Sequence, residues 1–169
     1  MTTLIAPADV TLPDDRSVLV TRDFHASAPL VFRAYTDPDL LVRWLVGSDG
    51  WEMTRCDVDL RVGGSYRWEW THVDSKAYFG FFGDFLEIDA PHRIVNSETF
   101  DPGTLGGDMG KPAQSEVTFV EKNGVTTLTT RITYPDQASR DMALSTGMTD
   151  GMEQSYQRLD TFIEGDLQP

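Results

Sequence analysis

The chain has 169 residues, 40 % of them hydrophobic, and no Pro/Ser-rich stretch divides it, so it is long enough for one core and reads as one domain. A formal net charge of −13 argues against nucleic acid or an anionic membrane surface as partner, because affinity there rests on neutralising phosphates with Lys and Arg. No run approaches the ~20 apolar residues that span a bilayer, residues 1–15 lack the basic start and apolar core of a signal peptide, and the lone Cys56 cannot form an internal disulfide, so a cytoplasmic protein is expected.

Residues 1–15, with Pro7, Pro13 and Asp14-Asp15, read as an extended arm ahead of a domain spanning 16–165. From Arg16 the run RSVLVTRDF has the β-branched content of a strand. Ser27 caps a short helix with Pro29 in its first turn and Val31, Phe32 and Tyr35 on its inner face. Asp37-Pro38 repeats the signal, and a second short helix follows with Leu40, Leu41, Trp44 and Leu45 apolar.

After Gly47 the apolar period falls to two, and strands are expected at 51–60, 65–72, 77–88, 92–100, 115–122 and 125–134. Asn123-Gly124 is a hairpin signal, since both residues tolerate positive φ. With the first strand this makes seven antiparallel strands in an α+β layout. In 65–72, Tyr66, Trp68, Trp70 and His72 share one face, an aromatic row that must be covered. The next strand carries rings on both faces, Phe79, Phe81, Phe82 and Phe85 among them, and its Gly80 and Gly83 suggest a bulge or bend.

Residues 136–164 read as one long C-terminal helix that covers the aromatic row. Leu144, Met148, Met152, Tyr156, Leu159, Phe162 and Ile163 recur at three- and four-residue spacing on one face, while Glu153 and Asp160 fall opposite. Asp136 or Ser139 caps its start and Gly165 its end. Gly147, Gly151 and Ser155 form a small-residue ridge where another backbone approaches or the helix bends.

Four stretches, 26–45 (ASAPLVFRAYTDPDLLVRWL), 58–70 (VDLRVGGSYRWEW), 83–95 (GDFLEIDAPHRIV) and 151–164 (GMEQSYQRLDTFIE), resemble the motifs of bacterial proteins similar to the C-terminal domain of the activator of heat-shock protein 90 ATPase, within the SRPBCC or START-like superfamily. The resemblance implies a helix-grip fold: a curved antiparallel sheet wraps the long C-terminal helix, and two short helices close one end. It also implies that many relatives keep an apolar cavity between sheet and helix. The chain departs from the common pattern at 101–114, a Gly-rich loop longer than usual.

Three roles follow as expectations. The first is binding of a hydrophobic or aromatic small molecule in a closed cavity, which for such ligands measures several hundred Å³. Its candidate lining is Trp44, Trp51, Tyr66, Trp68, Trp70, Phe81, Glu98, Met148, Met152 and Tyr156. The second is a co-chaperone-like module with a protein partner. The third is an acid–base enzyme of the cyclase or dehydratase kind using Glu98, His72 or Tyr156; catalysis is the less expected role. Glu98 faces inward if Ile94, Asn96 and Phe100 do, in which case burial raises its pKa; alternatively it faces water or pairs with Arg67 or Arg131. No cofactor and no metal is expected, because His25, His72 and His92 are isolated and Asp57 and Asp59 alternate faces. Monomer and dimer are both left open.

Overall fold

The computed structural model describes residues 5–165 and 167. The chain runs β1 (Asp9–Thr11), β2 (Ser17–Phe24), α1 (Ala28–Thr36), α2 (Pro38–Trp44), β3 (Trp51–Val58), β4 (Ser65–His72), β5 (Tyr78–Asp89), β6 (Arg93–Asp101), β7 (Ala113–Lys122), β8 (Val125–Thr133), α3 (Gln137–Ser145) and α4 (Met148–Gly165). The strands form one antiparallel sheet in the order β1-β2-β8-β7-β6-β5-β4-β3. The fold is the expected helix-grip, with corrections of which two concern the elements themselves.

The sheet has eight strands rather than seven. The added one, Asp9–Thr11, lies in the segment read as an arm and pairs with Leu19–Thr21 of β2. Its three residues are all exposed, so burial leaves no alternation in the sequence to mark it. The first four residues of that arm lie outside the described residues.

The long C-terminal helix is broken. α3 ends at Ser145 and α4 begins at Met148, with Gly147 between them at φ +79°, a left-handed conformation that closes α3 and redirects the chain. Within the ridge read from sequence, no atom outside the helix comes within 4 Å of a Cβ built on Gly147 or Gly151. Ser155 alone is used, its Oγ accepting from the Gly47 N–H at 2.9 Å.

Because β2 and β3 lie near opposite edges of the sheet, the chain between them must cross it. α1 and α2 make that crossing, each with its cap in place: Ser27 accepts from the Leu30 N–H and Asp37 from the Asp39 N–H. Trp44, fully buried, donates from Nε1 to the Ala34 carbonyl at 2.9 Å and fixes α2 against α1. Trp70 donates to the Leu45 carbonyl at 2.6 Å, so the end of α2 covers part of the aromatic row that the terminal helix was expected to cover.

α4 is held to β2 by Arg22, which shares the inward face with Val18, Val20 and Phe24. Its guanidinium reaches Glu153 at 3.1 Å and Asp160 at 2.7 Å, one ion pair on each side of Tyr156, and lies 5.0 Å from the Phe24 ring. Glu153 and Asp160, read as the outer face of the helix, are therefore turned toward the sheet. Tyr156 meets Phe24 edge-on at 5.5 Å and stacks with Trp44 at 6.4 Å, which joins sheet, α2 and α4 in one core.

Register is kept by close strand approach and two bulges. The bend expected at Gly80 and Gly83 lies instead between Phe85 and Glu87, with a second bulge between Met53 and Arg55. Gly83 serves closeness: a Cβ there would overlap the Ser97 carbonyl oxygen on β6. Among the described residues no helix is long and apolar enough to cross a membrane.

Candidate functional site

Period-two alternation on β6 sends Ile94, Asn96 and Glu98 to the concave face, opposite Tyr66 and Trp68 of β4 and Phe85 of β5. With Tyr35 and Thr36 from α1, Val58 from β3 and Ser115 from β7, they enclose a recess between the sheet and the helical cap. Its volume is about 20 Å³, room for one water molecule. Among the described residues this recess falls far short of the several hundred Å³ expected, because rings occupy much of the gap: Trp44, Trp70 and Tyr156 are all buried in the core.

Among the described residues, Glu98 is the only acidic or basic side chain lining the recess. Among the described residues its carboxyl makes no hydrogen bond and no ion pair; Arg67 pairs with Asp101 and Arg131 with Asp14 instead, which removes the ion-pair alternative, while the side chain itself is half-buried and keeps some contact with water. Desolvation pushes its pKa up to about 7. Its charge in turn helps raise the pKa of Tyr35, Tyr66 and Tyr134, in each case after burial as the larger cause. Tyr66 donates to the Ser97 carbonyl at 2.8 Å and accepts from Asn96 Nδ2 at 3.1 Å. The Trp68 indole N–H, by contrast, is buried without a partner.

Beyond the recess the concave face continues as half-buried rings. Phe79 lies 5.1 Å from Trp51 and 5.3 Å from Trp70, and Phe81 lies 5.3 Å from Phe100. These contacts link β3, β4, β5 and β6 into one aromatic floor.

The family model described as Activator of Hsp90 ATPase homolog 1-like protein matches residues 25–164. The chain belongs to this family. Among solved structures, a protein from Rhodobacter sphaeroides is similar with a TM-score of 0.85 at 26% identity, covering 94% of this chain and 99% of that one. A protein from Mycobacterium smegmatis reaches 0.80 at 21% identity over 94% of this chain and 96% of that one. The AHSA1-like protein from Aeromonas hydrophila reaches 0.66 at 22% identity over 89% and 98%. No curated protein matches.

In this Activator of Hsp90 ATPase homolog 1-like domain, three of the ten candidate residues, Tyr66, Trp68 and Glu98, border the recess. Trp51 and Phe81 belong to the half-buried floor, while Trp44, Trp70 and Tyr156 are core. Met148 and Met152 sit half-buried on α4, where the Met148 sulfur accepts from the Tyr134 hydroxyl at 3.5 Å. His72 does not border the recess; its Nδ1 accepts from the Asp74 and Ser75 N–H groups at 3.3 Å and its ring meets Trp51. Glu98 and His72 thus form no catalytic pair. Sequence reading missed Tyr35, Thr36, Val58, Phe85 and Ser115 as lining. Ser115 was legible in principle, since it alternates with the inward Val117, whereas Tyr35 was assigned to the inner face of its helix without a target.

Proposed function

We propose that this protein binds a hydrophobic or aromatic small molecule on the concave face, between the aromatic floor and the helical cap. What carries the reading is two groups in residues that border the recess: the half-buried Glu98 carboxyl, which has no hydrogen bond or ion pair among the described residues, and the buried Trp68 indole N–H, which has no partner there either. Buried polar groups ordinarily have partners, and leaving one unpaired costs about 1–3 kcal/mol, so the Trp68 N–H, in one lining with a carboxyl that no side chain pairs, marks an incomplete site. The half-buried rings of Trp51, Phe79, Phe81 and Phe100 supply the apolar contact. Pockets for drug-sized ligands measure roughly 300 Å³ or more. Uptake into a recess of about 20 Å³ therefore displaces rings of its wall and floor.

Native mass spectrometry of protein purified from its own host tests this. A small organic molecule retained under gentle ionisation and lost on denaturation is the expected result. Bare protein mass, together with no saturable uptake of an apolar fluorescent dye, sinks it.

A further inference from the structure

Resting on that reading, we infer that the preferred ligand is a lipophilic amine: an aromatic or apolar body carrying one basic nitrogen that seats against Glu98. Among the described residues the recess is lined by no Lys, Arg or His, so none of them neutralises Glu98. The titratable groups around the carboxyl are Tyr35 of α1, Tyr66 of β4 and Tyr134 beyond β8, and none of them brings a positive charge. A ligand ammonium supplies what the fold omits.

The walls suit the same cation. Tyr66 and Trp68 lie with ring centroids 4.8 Å apart and Tyr66 and Phe85 at 5.6 Å, so three packed aromatic rings share the lining of the recess with Glu98. Such faces attract an ammonium through the ring quadrupole, most strongly once water is excluded. The protein already uses this chemistry internally, with Arg43 4.7 Å from the Phe162 ring and Arg67 5.0 Å from Phe82. A net charge of −13 raises the local concentration of cations and lowers that of anions, so the long-range field and the recess select for the same sign.

An anionic apolar ligand, such as a fatty acid, fits poorly. Its carboxylate would face Glu98 with no cation between them, and like charges in a desolvated site oppose binding. A neutral hydrocarbon would leave Glu98 as unsatisfied as before.

Isothermal titration with 2-naphthylmethylamine, its neutral isostere 2-naphthalenemethanol and the anion 2-naphthoate tests the inference. In high salt at about pH 8, the amine is expected to bind at least roughly tenfold tighter than the alcohol, with the anion weakest. Glu98→Gln, or Glu98→Leu if the first fails to fold, abolishes the preference for the amine while leaving alcohol binding in place. At about pH 5.5, where Glu98 is protonated, the wild-type preference shrinks in the same way. Equal binding of amine and alcohol overturns the amine inference and leaves the small-molecule reading standing. A preference that survives Glu98→Gln also overturns it, assigning the selectivity to surface charge. No binding by any of the three overturns both.

Discussion

Arg22 Nη2 donates to Asp160 Oδ2 at 2.7 Å, and this bond from the second strand to the last helix sets where α4 rests on the sheet. Nε of the same guanidinium bonds Glu153 at 3.1 Å, and a Glu153 oxygen also accepts from the Ala8 N–H at 2.8 Å. Burial alone would raise the Glu153 pKa; Arg22, Ala8 and Gln157 outweigh it and hold the carboxyl below its ordinary value. Removing Arg22 strands two carboxylates, each with 18% of its side chain exposed. Breaking a buried pair typically costs 3–5 kcal/mol. Arg22→Met is expected to lose about 3 kcal/mol by urea denaturation, the lower end because the carboxylates keep some water. A loss under about 1 kcal/mol would show that apolar packing alone seats α4.

Glu98 makes an opposite contribution. Its pKa is raised from the ordinary value of 4.5 to about 7 by desolvation, so between those values the folded chain holds a proton that the unfolded chain has released. Stability is therefore highest below about pH 4.5 as far as this group is concerned, falls as pH rises, and levels off above about pH 7. A shift of that size corresponds to about 3 kcal/mol, and water reaching the half-buried side chain makes this an upper bound on the loss. Glu98→Gln, which cannot ionise, is expected to be more stable than wild type at about pH 8 and nearly matched to it at about pH 5, by denaturant midpoint. If the difference between the two proteins does not change with pH, the carboxyl is solvated.

Much of this fold is written locally, and its departures are where local rules stop. Tyr66, Trp68 and Trp70 alternate with Arg67 and Glu69, and the structure keeps that division in β4. The same rule placed Glu98 beside Ile94 and Asn96, which the recess reproduces. It also put Arg22 on the face of Val18, Val20 and Phe24, yet a lone Arg among valines signals no partner until α4 is seated. The helix break escaped because Leu144, Met148 and Met152 keep their spacing across Gly147; periodicity reports a face, not the φ of +79° that interrupts it. Cavity size escaped for a different reason. The same ring pattern describes a filled interior and a hollow one, and only packing distinguishes them.

Cys56, half-buried on β3 opposite Trp68, is expected to be a slow thiol. Burial first, then the negative charges of Asp57, Asp37 and Asp39, push its pKa up to about 11. The thiolate is the nucleophile, so little reactive form exists near neutrality. Labelling by an aromatic disulfide reagent at about pH 8 should run at least roughly tenfold slower in native than in urea-unfolded protein. Equal rates would mean that β3, an edge strand, opens freely.

Two glycine substitutions separate close approach from simple chain freedom. At Gly83 an added methyl overlaps the Ser97 carbonyl oxygen of the neighbouring strand, and because the obstacle is backbone it cannot swing aside. Gly83→Ala must push β5 from β6 next to Asn96 and Glu98, and a loss of roughly 2–3 kcal/mol is expected, with a changed near-ultraviolet aromatic signal. At Gly151, within α4, nothing outside the helix lies within 4 Å of the new methyl. Gly151→Ala should therefore gain about 0.4–1 kcal/mol by reducing the freedom of the unfolded chain. If Gly151→Ala destabilises, the small-residue face of α4 is occupied by a partner, and a second copy of the chain is the first to test, by sedimentation of both proteins.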